Sequence, residues 1–488
     1  MSSTPYDQLI LEIKQYVFHY HILDEDAFIC AKLALLDAMG CAIETLSTSD
    51  ECGKMIGPLE PTTVNPNAFK LPGTTYLLDP VKGAFDMATI IRWLDHNDAI
   101  AGAEFGHPSD NLGAILAVAD WQSHKIAKGD VVHTGPKVTM KTLLLAMIKA
   151  YEIQGCFLVR NAFNRQGLDH VLLVRLASTA VVAWLLGLTE EETMAAISHV
   201  FMDGHPLKTY RHGTNSIPRK GWAAGDACMR AVQLAMFAQA GQPGSKSVLT
   251  EPRWGFYDTI FEGQPFQYPK PYNSWSLKNT LFKVMPVEGH GIAAVQAAIQ
   301  HSNLVKARGV CPDKHIRRVD IRTTGGGLLV IDKQGYLHNA AERDHCMQYM
   351  VAVALLKGAV PESNDYKNDS PWACDERLSE LRSHIHMTED KKVTQDYLDL
   401  NRRSIASAVT ITFTDDTVSE EIYIDYPIGH VRSADTTRMV QEKFRKNLRL
   451  KFSTQEIDRV KMALEIPDLV VSDFVALFAQ GRHNEQKL

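Results

Sequence analysis

The chain has 488 residues, of which 45% are hydrophobic and 22% are charged, and its formal net charge is −6 at pH 7. These values are ordinary for a globular protein and argue against a disordered or fibrous chain, and the length exceeds the usual size of a single core. A weak negative charge, with no lysine and arginine cluster among aromatic residues, argues against a nucleic-acid partner.

Two features of the sequence indicate a compartment. The eight cysteines include no C-x-x-C pair, which favours reduced intracellular thiols over a zinc ribbon or a dense disulfide framework. The first residues, MSSTPYDQLILEIKQYV, contain acids and lack the pattern of a leader, so we expect a cytoplasmic protein. The final Gln-Lys-Leu is weakly similar to a peroxisomal signal, which leaves that compartment open.

Residues from about 6 to 275 predict an all-α bundle. Four stretches repeat apolar residues at three-to-four spacing: AFICAKLALLDAMGCAIETL, LGAILAVADWQSH, MKTLLLAMIKAYEIQGCF and GDACMRAVQLAMFAQAG. The most apolar segment, VLLVRLASTAVVAWLLGL, is interrupted by Arg175 and therefore predicts a buried helix. We expect no membrane partner.

A second module is predicted to begin near PFQYPKPYNSWS, because proline continues neither a helix nor a sheet ladder. Beyond it, KHIRRVDIRTT and SAVTITFTDDTVSEEIYIDYP alternate β-branched and polar residues, which predicts strands with a hairpin turn at Asp415-Asp416. The glycine-rich RTTGGGLLV predicts a turn. Helical periodicity returns from about residue 435, and we expect this tail to pack back on the first bundle.

The stretch LDHNDAIAGAEFGHPSDN concentrates acids, histidines and glycines. If the preceding helix continues into it, Asp95 and Asp98 share one helix face. His107 follows in a loop between a glycine and a proline, and Ser109 or Asp110 is placed to cap the next helix. Each side chain alone is more often structural, but their density favours a functional site. No recurrent ligand spacing accompanies them, so we predict no metal site.

Three other stretches carry charged residues that are candidates to lie beside this acidic stretch in the folded protein. They are NRQGLDHVLL, KTYRHGTNSIPRKGWAAGDA and LFKVMPVEGHGIAAVQAA. Arginine and lysine around a Gly/Ser/Pro loop before a helix suit a polycarboxylate or phosphate ligand, because guanidinium groups and free helix N–H groups both bind anions. A solvated basic loop fits the same pattern equally well. Motifs of dinucleotide-binding folds, P-loops, zinc proteases, α/β-hydrolases and EF-hands are missing from the sequence.

Six stretches together resemble the 2-methylcitrate dehydratase group of the MmgE/PrpD family, which also includes cis-aconitate decarboxylase. They are RWLDHNDAIAGAEFGHPSDNLGAILAVAD, GLDHVLLVRLA, YRHGTNSIPRKGWAAGDA, WGFYDTIF, NTLFKVMPVEGHGIAAVQAA and ERDHCMQYMVAV. The similarity runs over essentially the whole chain, and the combined motifs are highly specific.

The resemblance implies a mainly α fold with a smaller α+β lid domain, in which C-terminal helices complete an all-α helical domain. On this chain we place the first part of the helical domain at 1–273, the lid at 274–434 and the returning helices at 435–488. The resemblance further implies a homodimer, an active site in the cleft between the domains, and no metal, iron–sulfur cluster or other cofactor.

The resemblance also implies a reaction and its residues. The reaction is loss of water from a 2-alkylcitrate, a small tricarboxylate, to give an alkyl-substituted cis-aconitate. The family's catalytic positions fall on Asp95, His107, His170, Lys220 and His290. Basic residues near the substrate fall on Arg211, His212 and Arg219.

Elimination of water needs a base, an acid and a stabilised enediolate. We assign base and acid to His107 and His170 in an order left open, because the histidine pKa lies near neutral pH. Asp95 is expected to orient one of these imidazoles. Lys220 and Arg211 are expected to hold the developing negative charge.

The chain departs from the group's usual pattern in two motifs, mostly toward smaller residues. The changed positions that we expect to contact substrate are Ala99, Ile100, Phe105, Met285 and Gly289. Because a pocket gains only about 1–3 kcal/mol per methylene buried, several coordinated reductions would admit a longer alkyl tail. We therefore expect an alkylcitrate of the kind used in making maleic-anhydride natural products.

Two alternatives stay open from the sequence. One is decarboxylation of a cis-aconitate, although the decarboxylase branch usually carries Tyr-Pro-x-Cys where this chain has Met285-Pro286-Val287-Glu288. The other is a catalytically inactive relative with a binding role, which the retained Asp95, His107, His170 and Lys220 argue against.

Overall fold

The computed structural model describes residues 5–62, 65, 67–202, 204–211, 215–268, 271–307, 309 and 311–479. His212, a predicted substrate-binding residue, lies outside the described residues, as does the terminal Gln-Lys-Leu.

The described residues form a mainly helical protein with a small β part. The helices are α1 (Gln8–His19), α2 (Glu25–Thr48), α3 (Asp50–Gly53), α4 (Pro80–Arg92), α5 (Leu112–Lys128), α6 (Met140–Arg160), α7 (Val171–Leu186), α8 (Glu190–Val200), α9 (Arg219–Gln239), α10 (Phe256–Ile260), α11 (Ile292–Ala307), α12 (Pro312–His315), α13 (Gly325–Ile331), α14 (Ala340–Arg343), α15 (Met347–Lys357), α16 (Glu376–Ser383), α17 (Lys391–Leu398), α18 (Thr436–Leu448), α19 (Thr454–Leu464) and α20 (Val471–Ala476). The strands are β1 (Phe69–Lys70), β2 (Leu77–Leu78), β3 (Ile316–Thr323), β4 (Ile385–Glu389), β5 (Ser407–Phe413) and β6 (Ile422–Ile424). The prediction of a mainly α fold with a smaller β part is confirmed.

The larger hydrophobic core belongs to the helices of the N-terminal half. Helix α4 packs against α5 and α9, and α7 packs against α9. All residues of α7 except Trp184 are buried, including Arg175, as its nearly continuous apolar sequence requires. Helix α18 lies against α2, and Val440 and Phe444 of α18 join the same core. The helices predicted from apolar periodicity are present as α2, α5, α6, α7 and α9.

Helix α6 is the one described helix that is long and apolar enough to cross a membrane. In the fold, 94% of its apolar window is buried inside the protein. Its length and composition are therefore accounted for by its position in the core.

The smaller core surrounds a four-stranded sheet in the order β4-β3-β5-β6. Strand β3 pairs parallel to β4 and antiparallel to β5, and β5 pairs antiparallel to β6. Helix α11 packs against β5 and against α15. The predicted turn at Asp415-Asp416 is confirmed: the Phe413 N–H donates to the Thr417 carbonyl, and Asp416 has φ 68°.

The glycine-rich stretch after β3 corrects a prediction. We expected a turn, but Gly325–Ile331 forms helix α13. The Thr324 hydroxyl accepts a hydrogen bond from the Gly327 N–H at 3.0 Å, which caps the helix where three glycines would otherwise disfavour it.

Candidate active site

The acidic stretch leaves its helix earlier than the sequence suggests. Helix α4 ends at Arg92, and Asp95 has φ 52°, in the left-handed region that non-glycine residues seldom occupy. The expectation that Asp95 and Asp98 share a helix face is therefore wrong. The Asp95 N–H donates to the Arg92 carbonyl at 3.0 Å, and the Arg92 guanidinium donates to the Asp95 carboxylate, so the turn is held by its own ion pair.

The predicted cap of the next helix is also wrong. Residues Pro108–Asn111 form a turn of 3-10 helix before α5, and neither Ser109 nor Asp110 caps α5 with its side chain. Both side chains instead accept hydrogen bonds from the Asn97 amide, at 2.8 and 2.9 Å. The polar groups of this stretch thus stabilise the loop itself.

Asp95 is the centre of a buried ionic group. Its carboxylate accepts from Arg92 and, at 2.8 Å, from the Lys283 ammonium, and one oxygen lies 3.7 Å from His107 Nε2. Burial alone would raise the pKa of Asp95, but Arg92 and Lys283 outweigh it and hold the pKa well below its usual range. Asp95 is therefore a fixed anion that binds two cations beside an imidazole.

His107 is oriented by a backbone carbonyl rather than by Asp95. Its Nδ1 lies 2.7 Å from the Asp98 carbonyl oxygen, which can only accept, so Nδ1 carries the hydrogen and the Nε2 lone pair is free. Burial, followed by the charges of Arg92 and Lys283, lowers the pKa of His107 well below its ordinary value. The imidazole is neutral at pH 7 with Nε2 available as a base.

His170 lies beside His107, with ring centroids 5.7 Å apart. It directly precedes α7, where the neighbouring Asp169 carboxylate accepts from the Val171 N–H at 3.1 Å and pairs with the Arg211 guanidinium. Burial lowers the pKa of His170 to about 3, against an opposing contribution from Asp169. Its Nδ1 is buried without a hydrogen-bond partner among the described residues. Two neutral imidazoles thus stand side by side.

Lys220, in the first turn of α9, is paired with residues from the other core. Its ammonium donates to both Asp344 oxygens at 2.7 and 2.9 Å, and His345 Nδ1 lies 2.6 Å from the same carboxylate. The other nitrogen of His345 lies 3.9 Å from Asp95, which closes the network. Burial lowers the pKa of Lys220, although Asp344 partly opposes this, and Lys220 helps to hold the pKa of Asp344 at about 2 against burial.

We call this connected group the Asp95 cluster. Its members are Arg92, Asp95, His107, His170, Lys220, Lys283, Asp344 and His345. Three cations face two carboxylates, and a third carboxylate, Asp110, lies 3.9 Å from Arg92 with a pKa that burial raises to about 7. With neutral imidazoles the cluster therefore has at most one positive charge in excess. A buried site with this balance attracts an anionic ligand.

Comparison with known proteins places the chain in a family. The N-terminal domain of the MmgE/PrpD family matches residues 12–269, and its C-terminal domain matches residues 285–466. The chain belongs to the MmgE/PrpD family. It is 52% identical to an alkylcitrate dehydratase of a fungal species, over 98% of this chain and 95% of that protein. It is 49% identical to a 2-methylcitrate dehydratase-like protein of Aspergillus oryzae, over 97% and 96%, and 47% identical to the 2-methylcitrate dehydratase of Escherichia coli, over 93% of each.

One cavity, of about 470 Å³, reaches the Asp95 cluster of this family member. Lys220 and Asp344 line it, together with Trp93, Leu94 and Tyr366. Asp95, His107 and His170 are buried and do not line it. Lys220 is therefore the cation of the cluster that a ligand in this cavity would meet first.

His290, the fifth catalytic position expected from the family, lies in a different setting. Its ring packs at 4.7 Å from Phe105 and 5.4 Å from Tyr397, and Nδ1 lies 3.1 Å from the Thr324 hydroxyl. The Glu288 carboxylate accepts from the His290 N–H. Burial lowers the pKa of His290, and Lys283 lowers it further against the opposing charge of Glu288. Among the described residues, no hydrogen bond or ion pair joins its side chain to the Asp95 cluster.

The space at Gly289 corrects one reason for expecting a larger pocket. A Cβ at position 289 would lie 2.6 Å from the Phe105 ring, so Phe105 fills the room that the missing side chain leaves. Ala99 exchanges two backbone hydrogen bonds with Leu281, and Ile100 exchanges two with Gly106. These residues and Met285 are buried, and none of them lines the cavity beside Lys220.

The two described arginines expected near the substrate are already engaged. Arg211 pairs with Asp169, and this buried carboxylate raises the pKa of the guanidinium despite burial. Arg219 stacks on Trp222 at 4.1 Å and pairs with Asp226 at 3.2 Å, on the partly exposed side of α9. Arg211 supports His170 through Asp169, whereas Arg219 lies outside the cluster.

Lys283 belongs to a stretch that the sequence offered as a candidate to meet the acidic one, although no role was given to it. Sequence reasoning missed three further members of the cluster as site residues: Arg92, Asp344 and His345. The sequence did contain a signal for Asp344 and His345, because this adjacent acid and histidine stand within the family motif ERDHCMQYMVAV. Among the described residues, no group of three or more His, Cys, Asp or Glu side chains is placed to hold a metal ion.

Proposed function

We propose that the chain is an alkylcitrate dehydratase, a hydro-lyase that removes water from a 2-alkylcitrate to give an alkyl cis-aconitate. The observation that carries this proposal is the Asp95 cluster, which joins two neutral imidazoles to an excess of buried positive charge. The relatives named as alkylcitrate and 2-methylcitrate dehydratases supply the substrate class.

The cations of the cluster bind the substrate and stabilise its reacting form. Loss of a proton next to a carboxylate creates an enediolate, whose charge must be met by groups already in place. Lys220 stands at the cavity wall and is held there by Asp344. Arg92 and Lys283 are fixed behind it by Asp95, so little reorganisation accompanies the reaction.

His107 removes the proton in this proposal. Its Nδ1–H is committed to the Asp98 carbonyl, which leaves Nε2 as the proton acceptor. Burial lowers the pKa of His107 most, and the charges of Arg92 and Lys283 lower it further. Substrate carboxylates placed among these cations oppose the second cause and raise the pKa. The base thus becomes effective when the anionic substrate is bound.

His170 assists departure of the hydroxyl group. The C–H electron pair forms the new double bond, the C–O bond breaks, and the oxygen takes a proton to leave as water. Burial and the charges of Arg211 and Lys208 lower the pKa of His170, and the carboxylates of the bound substrate oppose these charges and raise it. His170 then carries the proton as an imidazolium, gives it to this oxygen and becomes neutral. Arg211 and Asp169 position His170 through the start of α7.

Several wider features complete the proposal. We place the helical domain at 1–273 and 435–488 and the lid domain at 274–434, with the Asp95 cluster between the two domains. We propose that two copies of the chain form a homodimer. The reaction is proposed to need no metal, which treatment with a chelator tests directly: unchanged turnover supports the proposal.

Eight cysteines without a disulfide support a reducing compartment, proposed to be the cytoplasm.

The deciding experiment offers purified protein a panel of citrates with graded alkyl arms and follows the products by mass spectrometry. The proposal predicts loss of one water from at least one alkylcitrate, with turnover of hexylcitrate above that of 2-methylcitrate if the long-arm expectation holds. Carbon dioxide release from cis-aconitate without dehydration would instead support the decarboxylase. Binding without any turnover would support an inactive relative.

A further inference from the structure

The cavity beside Lys220 has an inner end and a rim of different chemistry. Lys220, Asp344 and Tyr366 form buried parts of its lining. Exposed acids, Asp50 and Glu51 among them, stand at the rim. A second lysine, Lys367, also lines the cavity, and its ammonium donates to the Thr48 carbonyl at 2.8 Å. Because like charges repel, the carboxylates of a bound anion are favoured at the lysines and disfavoured beside the acids of the rim.

Tyr366 is a lining residue that carries an unsatisfied polar group. It is 3% exposed, and its hydroxyl is buried without a hydrogen-bond partner among the described residues. A buried hydroxyl left unpaired is unfavourable, so a ligand oxygen that reached it would be stabilised by its hydrogen bond. The residue is fixed in place because Arg343 donates to its backbone carbonyl at 2.9 Å.

Part of the remaining wall is apolar and part is polar. The polar lining residues are Thr48, Ser49, Asn339, Ser363, Lys367, Asn368 and Asp369. Trp93 packs against the backbone of α9 at Gly221, where an added Cβ would lie 3.1 Å from its ring. Leu94 follows Trp93, and Ala340 and Ala341 lie in the short helix α14 that precedes Asp344. Small alanines across from an aromatic ring leave room for an uncharged carbon chain.

We propose that this cavity holds the alkyl arm of the substrate, between Trp93, Leu94 and the alanines of α14, with Lys220 and the Tyr366 hydroxyl bound to its polar end. This inference rests on the proposed function and locates the part of the site that selects arm length. It moves arm selection away from Ala99, Ile100 and Gly289, whose surroundings are filled.

Enlarging one alanine tests the arm site. Ala341→Leu is expected to lower kcat/KM for hexylcitrate at least about tenfold more than for 2-methylcitrate, because the added carbons occupy the space of the arm. Ala340→Leu provides the same test should Ala341→Leu fail to fold. Ala240→Leu, at the exposed far end of α9, is the control and is expected to leave both values unchanged.

Removing one hydroxyl tests the polar end. Tyr366→Phe is expected to lower kcat/KM about three- to tenfold for every arm length, as for the loss of one neutral hydrogen bond. The control is Tyr349→Phe, since the Tyr349 hydroxyl is already bound to the Asp365 carbonyl at 2.9 Å.

Equal losses for short and long arms in the alanine variants, or no loss in Tyr366→Phe, would overturn the arm site while leaving the dehydratase proposal intact. Failure of the unaltered protein to dehydrate any citrate would overturn the proposed function instead.

Discussion

The two histidine-containing regions of the molecule differ in what surrounds the imidazole. His107 and His170 stand among charges, with Arg92, Lys283 and Asp169 near enough to change their pKa values. His290 stands among aromatic rings, and the charges that act on it are those of Glu288 and Lys283. Burial is the largest cause of the lowered pKa at all three histidines. A bound anion changes the charges felt by the first pair most strongly, so proton transfer is assigned to the Asp95 cluster and a supporting role to His290.

The largest effect is expected from His107→Asn. Asparagine keeps a donor for the Asp98 carbonyl but removes the Nε2 base, so turnover should fall by about 10²- to 10⁴-fold with little change in folding. Steady-state kinetics and thermal melting measure both quantities. His301→Gln serves as a control, because this buried imidazole is hydrogen-bonded to the Val409 carbonyl, at 2.9 Å, in the second core. Near-normal turnover of His107→Asn would remove His107 from the reaction.

Lys220→Met is expected to lower turnover by about 10²- to 10³-fold, since one preorganised donor to the enediolate is lost. The matched control is Lys149→Met, another buried lysine, whose ammonium donates to the carbonyls of Tyr16, Val17 and Tyr20. Lys149→Met should lower the melting temperature but retain most activity. Equal turnover in the two variants would mean that Lys220 is only a structural cation.

His290→Gln sharpens the comparison between the two regions. Because its contacts are to Thr324, Phe105 and Tyr397, we expect a loss of about tenfold or less in kcat/KM, in the range of one hydrogen bond. The measurement is made on the same citrate as for His107→Asn. A loss as large as that of His107→Asn would place His290 among the groups that transfer protons.

The last prediction concerns how the free energy of unfolding depends on pH, which has the smallest effect on turnover at neutral pH. His170 has its pKa lowered to about 3 from 6.5, so below pH 6.5 the unfolded chain binds a proton that the folded chain does not. The free energy of unfolding should therefore lose about 1.4 kcal/mol per pH unit from this residue as pH falls from about 6.5 to 3. Urea unfolding at several pH values should show a shallower acid loss in His170→Gln. An unchanged slope would contradict a neutral His170.

Periodicity was enough to predict most of the architecture. The helices α2, α5, α6 and α9 bury apolar residues repeated along one face or around the helix. In β5 the residues 409–412 alternate, with Val409 and Ile411 buried and the two threonines half-buried. Local patterns carry this information because they reflect which face is buried. The capped triple-glycine helix was missed because Thr324, outside the glycines, decides it.

The site was less predictable because its bonds are long-range. Asp95 adopts a left-handed turn through its contacts with Arg92 and with Lys283, which lies 188 positions away. Lys220 meets Asp344 across 124 positions. Family motifs indicated which residues matter, but only the fold shows that Asp98 provides a carbonyl for His107 and that Phe105 fills the space at Gly289.

The central claim is that the Asp95 cluster binds and dehydrates an alkylcitrate, and a crystal structure of His107→Asn with bound hexylcitrate tests it most directly. The account predicts a substrate oxygen about 3 Å from Lys220 Nζ and the reacting carbon facing position 107. Hexylcitrate bound elsewhere, for example in the tyrosine-lined cavity at Tyr16 and Tyr272, with the Lys220–Asp344 pair undisturbed, would contradict it.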